Sequence, residues 1–245
     1  MNLHKSHFLF SILLLGVLLL ACMPNEPVPT PDPDPQPIDT IIEEPLTFLA
    51  LGDSYTIGEA VGINLRWPVQ LKDSLIAQGL DMDTPRIIAR TGWTTDELIR
   101  AIDNTNDLDP SYDLVSLLIG VNNQYRNYDF VEYEREFPVL LRQALNFADG
   151  DTNRVIVLSI PDYGVTPFGS FGDQDEIARE LDEYNAFAQA EAEKKGIAFY
   201  NITPISREAA DDRSLVASDG LHPSGKMYTR WVELIREEVQ RKLDK

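Results

Sequence analysis

From residue 46 onward the chain alternates between two hydrophobic rhythms. Short apolar, β-prone runs fall at Leu46–Leu51, Arg86–Ala89, Leu114–Ile119, Val155–Ile160 and Ile197–Tyr200. Between them, apolar positions recur at helical spacing over Trp67–Gln78, Thr95–Ile102, Val131–Phe147 and Glu176–Lys195. A last segment of this kind runs from Gly225 to Leu243. Five strands alternating with helices predict an α/β fold, a five-stranded parallel sheet covered on both faces. The last helix is amphipathic, with Tyr228, Trp231, Val232, Leu234, Ile235 and Val239 set among Lys, Arg and Glu. Arg241, Lys242 and Lys245 close it at the end where a helix dipole favours cations. No internal repeat or second break in composition interrupts residues 46–245, which read as one domain.

The first 45 residues follow another pattern. Lys5 and the amino terminus precede an apolar run, Phe8 to Leu20, too short to cross a bilayer comfortably. Residues 1–22 therefore read as an export signal. Its end, Leu19-Leu20-Ala21-Cys22, resembles the lipobox of bacterial lipoproteins. That resemblance implies cleavage before Cys22 and acylation of its thiol; an ordinary secretory peptide is the plainer alternative. More than one acyl chain would give stable residence on a membrane of the bacterial cell envelope, on the periplasmic or the cell-surface side. Residues 23–45 carry prolines at Pro24, Pro27, Pro29, Pro31, Pro33, Pro35, Pro37 and Pro45, interleaved with Asp32, Asp34 and Asp39. Proline removes backbone donors and like charges repel, so this stretch reads as an extended spacer.

Composition narrows the chemistry. Lys and Arg number 21 against 40 Asp and Glu, a net charge of −19 that repels phosphate backbones and excludes nucleic acid as a partner. Cys22 is the only cysteine, which excludes an intramolecular disulfide, a CxxC redox pair and a thiolate zinc cluster. The three histidines are His4, His7 and His222, so a chain without its leader keeps one imidazole for proton transfer near neutral pH.

In a parallel sheet the strands all exit at one edge, where ligands bind. Here the exits carry Gly52-Asp53-Ser54-Tyr55, Arg90-Thr91-Gly92-Trp93, Gly120-Val121-Asn122-Asn123 and the long segment Pro161–Asp173. Asp219-Gly220-Leu221-His222-Pro223 lies just before the last helix. Asp219 stands three residues before His222 with a glycine between, a spacing that lets a tight turn aim a carboxylate at the ring. Pro223 restrains the backbone beyond it. Ser54, after a strand and a glycine that permits a tight bend, is the candidate nucleophile and needs that imidazole as base. A developing oxyanion needs donors, and the candidates are the Ser54 N–H, the Gly92 N–H and the Asn122 amide. Alone, Gly92 reads equally as a turn glycine and Asn122 as a loop amide.

Taken together and in this order, GDS at 52–54, Gly92 in RTGWT, GVNN at 120–123 and DGLHP at 219–223 resemble the SGNH (GDSL-type) hydrolases. The resemblance covers the chain from about residue 46 to its end. It implies a flavodoxin-like three-layer α/β/α sandwich and a serine esterase site. By family role Ser54 is the nucleophile, Asp219 and His222 the orienting acid and base, and Ser54, Gly92 and Asn122 the oxyanion hole. One departure stands out: the third block of the family usually reads GxND, whereas this chain has Asn123, which leaves the local bracing of that block in question.

The expected reaction proceeds through an acyl-Ser54 intermediate and needs no metal or organic cofactor. Zinc is disfavoured by one histidine and no free thiol, while a carboxylate-bound Ca²⁺ stays open. Tyr55, Trp93, Tyr125, Tyr163 and Phe168 fall at or beside the strand exits, as substrate-lining residues or as ordinary half-buried aromatics. The Pro161–Asp173 segment, with Gly164, Gly169 and Gly172, reads as a mobile lid or simply as a long loop. The expected substrates are acetylated carbohydrates or short-chain esters. The alternatives are a lysophospholipase or thioesterase-like acylhydrolase, an O-acyltransferase, or a lipid-anchored glycan-binding protein without activity.

Overall fold

The computed structural model describes residues 44–244; the proposed signal segment, Cys22 and nearly all of the spacer lie outside the described residues. Strands β1 (Phe48–Asp53), β2 (Arg86–Arg90), β3 (Leu114–Leu118), β4 (Val155–Leu158) and β5 (Ala198–Tyr200) pair in parallel in the order β2-β1-β3-β4-β5. Every residue of β1, β3 and β4 is buried, and their sequences are apolar except for Gly52-Asp53 at the end of β1 and Ser116 within β3. A strand covered on both faces has no solvent side to mark with polar residues. Edge strand β2 buries only its central residue.

The helices are α1 (Ser54–Ile57), α2 (Trp67–Ala77), α3 (Thr95–Asp103), α4 (Val121–Tyr125), α5 (Phe130–Phe147), α6 (Gln174–Lys194), α7 (Thr203–Arg207) and α8 (Gly225–Leu243). Helix α2 packs on α8, and α5 packs on α3 and α6. Right-handed crossovers that run one way from β1 to β2 and the other way from β2 onward place these two groups on opposite faces. The three-layer α/β/α sandwich with a five-stranded parallel sheet is thus the observed fold. The long helices match their periodicity within two residues. In α8 the buried positions are Met227, Tyr228, Trp231, Val232, Ile235, Val239 and Leu243, at spacings of three and four. Leu234, expected on that stripe, is 51% exposed, because it lies about 100° around the helix from Ile235.

The strand order reverses direction between β1 and β3, and the crevice beyond their carboxyl ends is the binding position of such sheets. Ser54 begins α1 directly after β1, and Asn122 is the second residue of α4, just beyond β3. Gly52, expected to permit a bend, lies in extended β1 and serves another purpose. A Cβ there would stand 2.2 Å from Thr56 Oγ1 and 2.4 Å from the Leu118 carbonyl oxygen, so glycine lets α1 and β3 close on this strand.

The Pro161–Asp173 segment is braced along its length. The buried Asp162 carboxylate accepts from Arg207 Nε at 2.9 Å and from the Gly164 N–H at 2.8 Å. Arg213 donates to the Val165 carbonyl at 3.0 Å, and the Phe168 N–H donates to the Gly220 carbonyl at 3.0 Å. A short 3₁₀ turn, Gly169–Phe171, folds so tightly that a Cβ on Gly169 would meet the Tyr163 carbonyl oxygen at 2.1 Å. These contacts tie the segment to α7, to Arg213 and to the turn that carries Gly220.

Candidate active site

Local chain chemistry brings Ser54 and His222 to the crevice. Asp53 caps α1, its Oδ1 accepting from the Tyr55 N–H at 3.0 Å, and this fixes the turn that presents Ser54. Tyr228 of α8 ties the same turn from below, its hydroxyl donating to the Tyr55 carbonyl at 3.0 Å. His222 lies in a tight turn closed by the Ala217 N–H donating to the His222 carbonyl at 2.7 Å, with Gly220 at φ +77. Pro223 pairs with Val216 in an antiparallel bridge, so the proline is held as well as stiff.

Within that turn one carboxylate does two jobs. Asp219 Oδ1 accepts from the backbone N–H groups of Leu221 and His222, each at 3.0 Å, while Oδ2 meets His222 Nδ1 at 2.6 Å. Burial alone would raise the Asp219 pKa, but these donors outweigh it and hold the carboxyl below its usual range. Asp219 is therefore an anion at neutral pH, and its contact with Nδ1 leaves Nε2 as the ring nitrogen open to proton exchange. The Tyr55 ring lies edge-on to the imidazole, 5.7 Å between centroids.

Ser54, Gly92, Asn122 and His222 line one cavity of about 230 Å³, with Tyr55, Thr91, Val121, Tyr125, Tyr163, Phe168 and Leu221. Gly92 has φ +85, a conformation other residues rarely take. Its carbonyl accepts from Arg126, which also pairs with Glu97 Oε2 at 3.4 Å. Asn122 Nδ2 donates to the Trp93 carbonyl at 2.9 Å, which employs one amide proton and leaves a second for a ligand. A serine, a histidine whose ring is backed by a carboxylate, and residues from three strand exits thus line one small, mostly apolar space. Burial lifts the Tyr163 hydroxyl to about 12, despite its hydrogen bond to Gln124, and raises that of Tyr55 as well, so these two rings stay uncharged. Among the described residues no three His, Cys, Asp or Glu side chains gather into a metal-ligating group.

Trp93 is the one expected lining residue that the structure places elsewhere. Its carbonyl points to Asn122, while its ring packs against the core and does not line the cavity. Thr91, Val121 and Leu221 were missed, although each sits inside or beside a motif already recognised. The doubt over Asn123 is also resolved. Its Oδ1 accepts from the Thr95 N–H at 3.0 Å, and its Nδ2 donates to Thr95 Oγ1 at 2.7 Å. Thr95 Oγ1 in turn donates to Glu136 Oε2 at 2.6 Å. The threonine's one proton is committed to Glu136, so residue 123 must be a donor, which an amide is and a carboxylate is not.

Carboxylic ester hydrolysis is the chemistry that such a set of groups at a flavodoxin-like switch point serves, and the protein is a carboxylic ester hydrolase. Residues 50–230 match the model of the GDSL-like lipase/acylhydrolase family, and the chain belongs to that family. Similar solved structures include a lipase/acylhydrolase from Enterococcus faecalis, at TM-score 0.61 and 20% identity over 80% of this chain and 96% of that one. Another is the psychrotrophic esterase EstA from Pseudoalteromonas sp., at TM-score 0.61 and 17% identity over 82% of this chain and 100% of that one. A third is the acetylxylan esterase Axe2 from Geobacillus stearothermophilus, at TM-score 0.56 and 20% identity over 82% and 94%. At these identities the likeness concerns the fold. No curated protein sequence matches the chain.

Two predictions follow from the buried polar groups. Asn123→Asp leaves Thr95 with one proton between two carboxylates, and should cost about 1–3 kcal/mol in urea denaturation at neutral pH. Combining it with Glu136→Gln should recover most of that loss, because the glutamine amide then donates to Thr95. The second concerns Asp53, whose Oδ2 is buried without a partner. Burial, only partly offset by the N–H donors of Tyr55 and Asp53, lifts this carboxyl from 3.8 to about 7. The folded state then keeps a proton that the unfolded chain has released, so the Asp53 contribution to stability is full below 3.8, declines as pH rises, and levels off above about 7. Asp53→Asn should remove this decline, seen as a smaller drop in denaturation midpoint than wild type between about pH 4 and about pH 8.

Proposed function

We propose that this esterase hydrolyses short-chain carboxylic esters, acetyl groups on carbohydrates foremost, through an acyl-Ser54 intermediate. The observation that carries the reading is the cavity of about 230 Å³ with Ser54, Gly92, Asn122 and His222 on its walls, a volume suited to a small acyl group. His222 Nε2 takes the Ser54 proton as Oγ attacks the ester carbonyl. The oxyanion accepts from the Ser54 N–H, the Gly92 N–H and the second Asn122 amide proton. His222 then protonates the leaving alcohol, and water repeats the sequence to release the acid. Asp219, ionised and bound to Nδ1, stabilises the imidazolium formed in each half.

For the alcohol, support comes from an open groove of about 760 Å³ on the other side of Phe168. Pro167 and Phe171 give it apolar surface, while Ser170, Arg213 and Ser218 give it polar groups. That mixture suits a sugar ring, which has an apolar face and a hydroxyl edge, and it agrees with the name of the acetylxylan esterase of similar fold. In the same reading Cys22 carries the lipid that anchors the enzyme in the bacterial envelope, with residues 23–45 as its spacer.

Ser54→Ala should fold normally and lose p-nitrophenyl acetate turnover by about 10³-fold or more. A fluorophosphonate should label Ser54 in the wild type. Equal turnover in the variant, or a label on another residue, would overturn the assigned roles. Acetate release from acetylated oligosaccharides tests the substrate class. The anchor is tested by fractionation: Cys22→Ser should move the enzyme from the membrane to the soluble fraction, and an unchanged distribution would refute acylation there.

A further inference from the structure

A second cavity of about 260 Å³ adjoins the first, sharing Tyr125, Tyr163 and Phe168 with it and adding Gly169, Phe171, Gly172 and Ile177. The three shared rings are in mutual contact. Their centroids stand 6.0 Å apart for Tyr125–Tyr163, 5.9 Å for Tyr125–Phe168 and 6.4 Å for Tyr163–Phe168, at interplanar angles of 82°, 50° and 54°. Tilted and edge-on rings at these distances are in favourable contact. They stand between the cavity that holds Ser54 and the one beyond.

We propose that Tyr125, Tyr163 and Phe168 form a partition that sets acyl chain length, and that the second cavity is a closed-off continuation of the acyl site for an aliphatic tail. The inference rests on the reading of the Ser54 cavity as the acyl slot. The lining of the second cavity supports the choice of ligand: it has aromatic rings, two glycines and an isoleucine, with tyrosine hydroxyls as its only side-chain polar groups. Such a surface offers a sugar ring few partners and an alkyl chain many. At its edge Phe171 is 92% exposed, a large apolar side chain that a tail would cover.

The three rings are not equally fixed. Tyr163 is buried, and its hydroxyl donates to Gln124 Oε1 at 3.0 Å, while Gln124 Nε2 donates to Glu180 at 2.9 Å. Tyr125 and Phe168 are 52% and 39% exposed, so either ring can be removed with little loss of packing. Gly172 permits the opposite change. Its φ of −106 accepts any residue, and a Cβ there would lie 3.2 Å from Ile177 Cδ1, on the wall of the second cavity.

The test is kcat/KM for p-nitrophenyl acetate, hexanoate and decanoate. Wild type should favour acetate. Phe168→Ala and Tyr125→Ala should each raise the decanoate-to-acetate ratio about tenfold or more, since each added methylene then finds apolar cover. Adding Gly172→Leu to Phe168→Ala should fill the second cavity and return the ratio toward wild type. An unchanged ratio in both single variants, with acetate turnover kept, would overturn the partition. Loss of acetate turnover in both, with folding intact by circular dichroism, would overturn it too, since the rings would then serve the reaction itself. A gain that survives Gly172→Leu would send the tail elsewhere and refute the second cavity as its site. Failure of the slot reading would look different, with wild type hydrolysing decanoate as readily as acetate.

Discussion

Asn122 and Asn123 stand side by side on the short helix after β3, and both spend their amides on the chain that leaves β2. Asn122 takes the Trp93 carbonyl, while Asn123 takes both the N–H and the hydroxyl of Thr95. Arg126, one turn further along, takes the Gly92 carbonyl. Two loops from strands that are not neighbours in the sheet, with β1 between them, are thereby joined above the strand that presents Ser54. Remove this tie and the donors of Gly92 and Asn122 lose their common reference, because nothing in a parallel sheet fixes the loops beyond its strands. Thr95, Asn123 and Glu136 are buried, and the cost of that burial is offset because they bond to one another.

Against the net charge of −19, the cavity is notable for its neutrality. Its walls carry no carboxylate, and burial raises the hydroxyls of Tyr55 and Tyr163 so that both keep their protons. Asp219 reaches the chemistry through the ring and Asp53 through the turn below. An uncharged ester would therefore meet a wall without a carboxylate. The carboxylates of the surface lie outside this space.

Much of this was legible in the sequence, for reasons that differ by element. The central strands could be read because burial on both faces leaves an apolar run, as in Val155–Leu158. Helices α2, α3, α5, α6 and α8 could be read because each is long enough to show its period. The short helices α1, α4 and α7 have one turn and no period to find. Ser54, Gly92, Asn122, Asp219 and His222 were legible through their order and spacing, and the structure brings them to one crevice. Trp93 was misread because proximity in sequence to a strand exit does not say whether ring or peptide faces the site. Asn123 could not be understood from its own motif, since its reason is Glu136, 13 positions away on α5. The groups that line the second cavity, Phe171 and Gly172 among them, depend on how the 161–173 segment folds back on the Asp219 turn. That is set by Asp162, Arg207 and Arg213, contacts that no local pattern announces.

The direction of β1 has a further consequence. The strand carries six residues, about 20 Å, from the point where the chain enters the sheet to the serine at its other end. The entry point and the crevice are thus at opposite poles of the sheet. Whatever grips the chain ahead of Phe48, a lipid leaflet or a chromatography resin, holds the molecule by its back. The crevice then stays open on the side turned away from that grip.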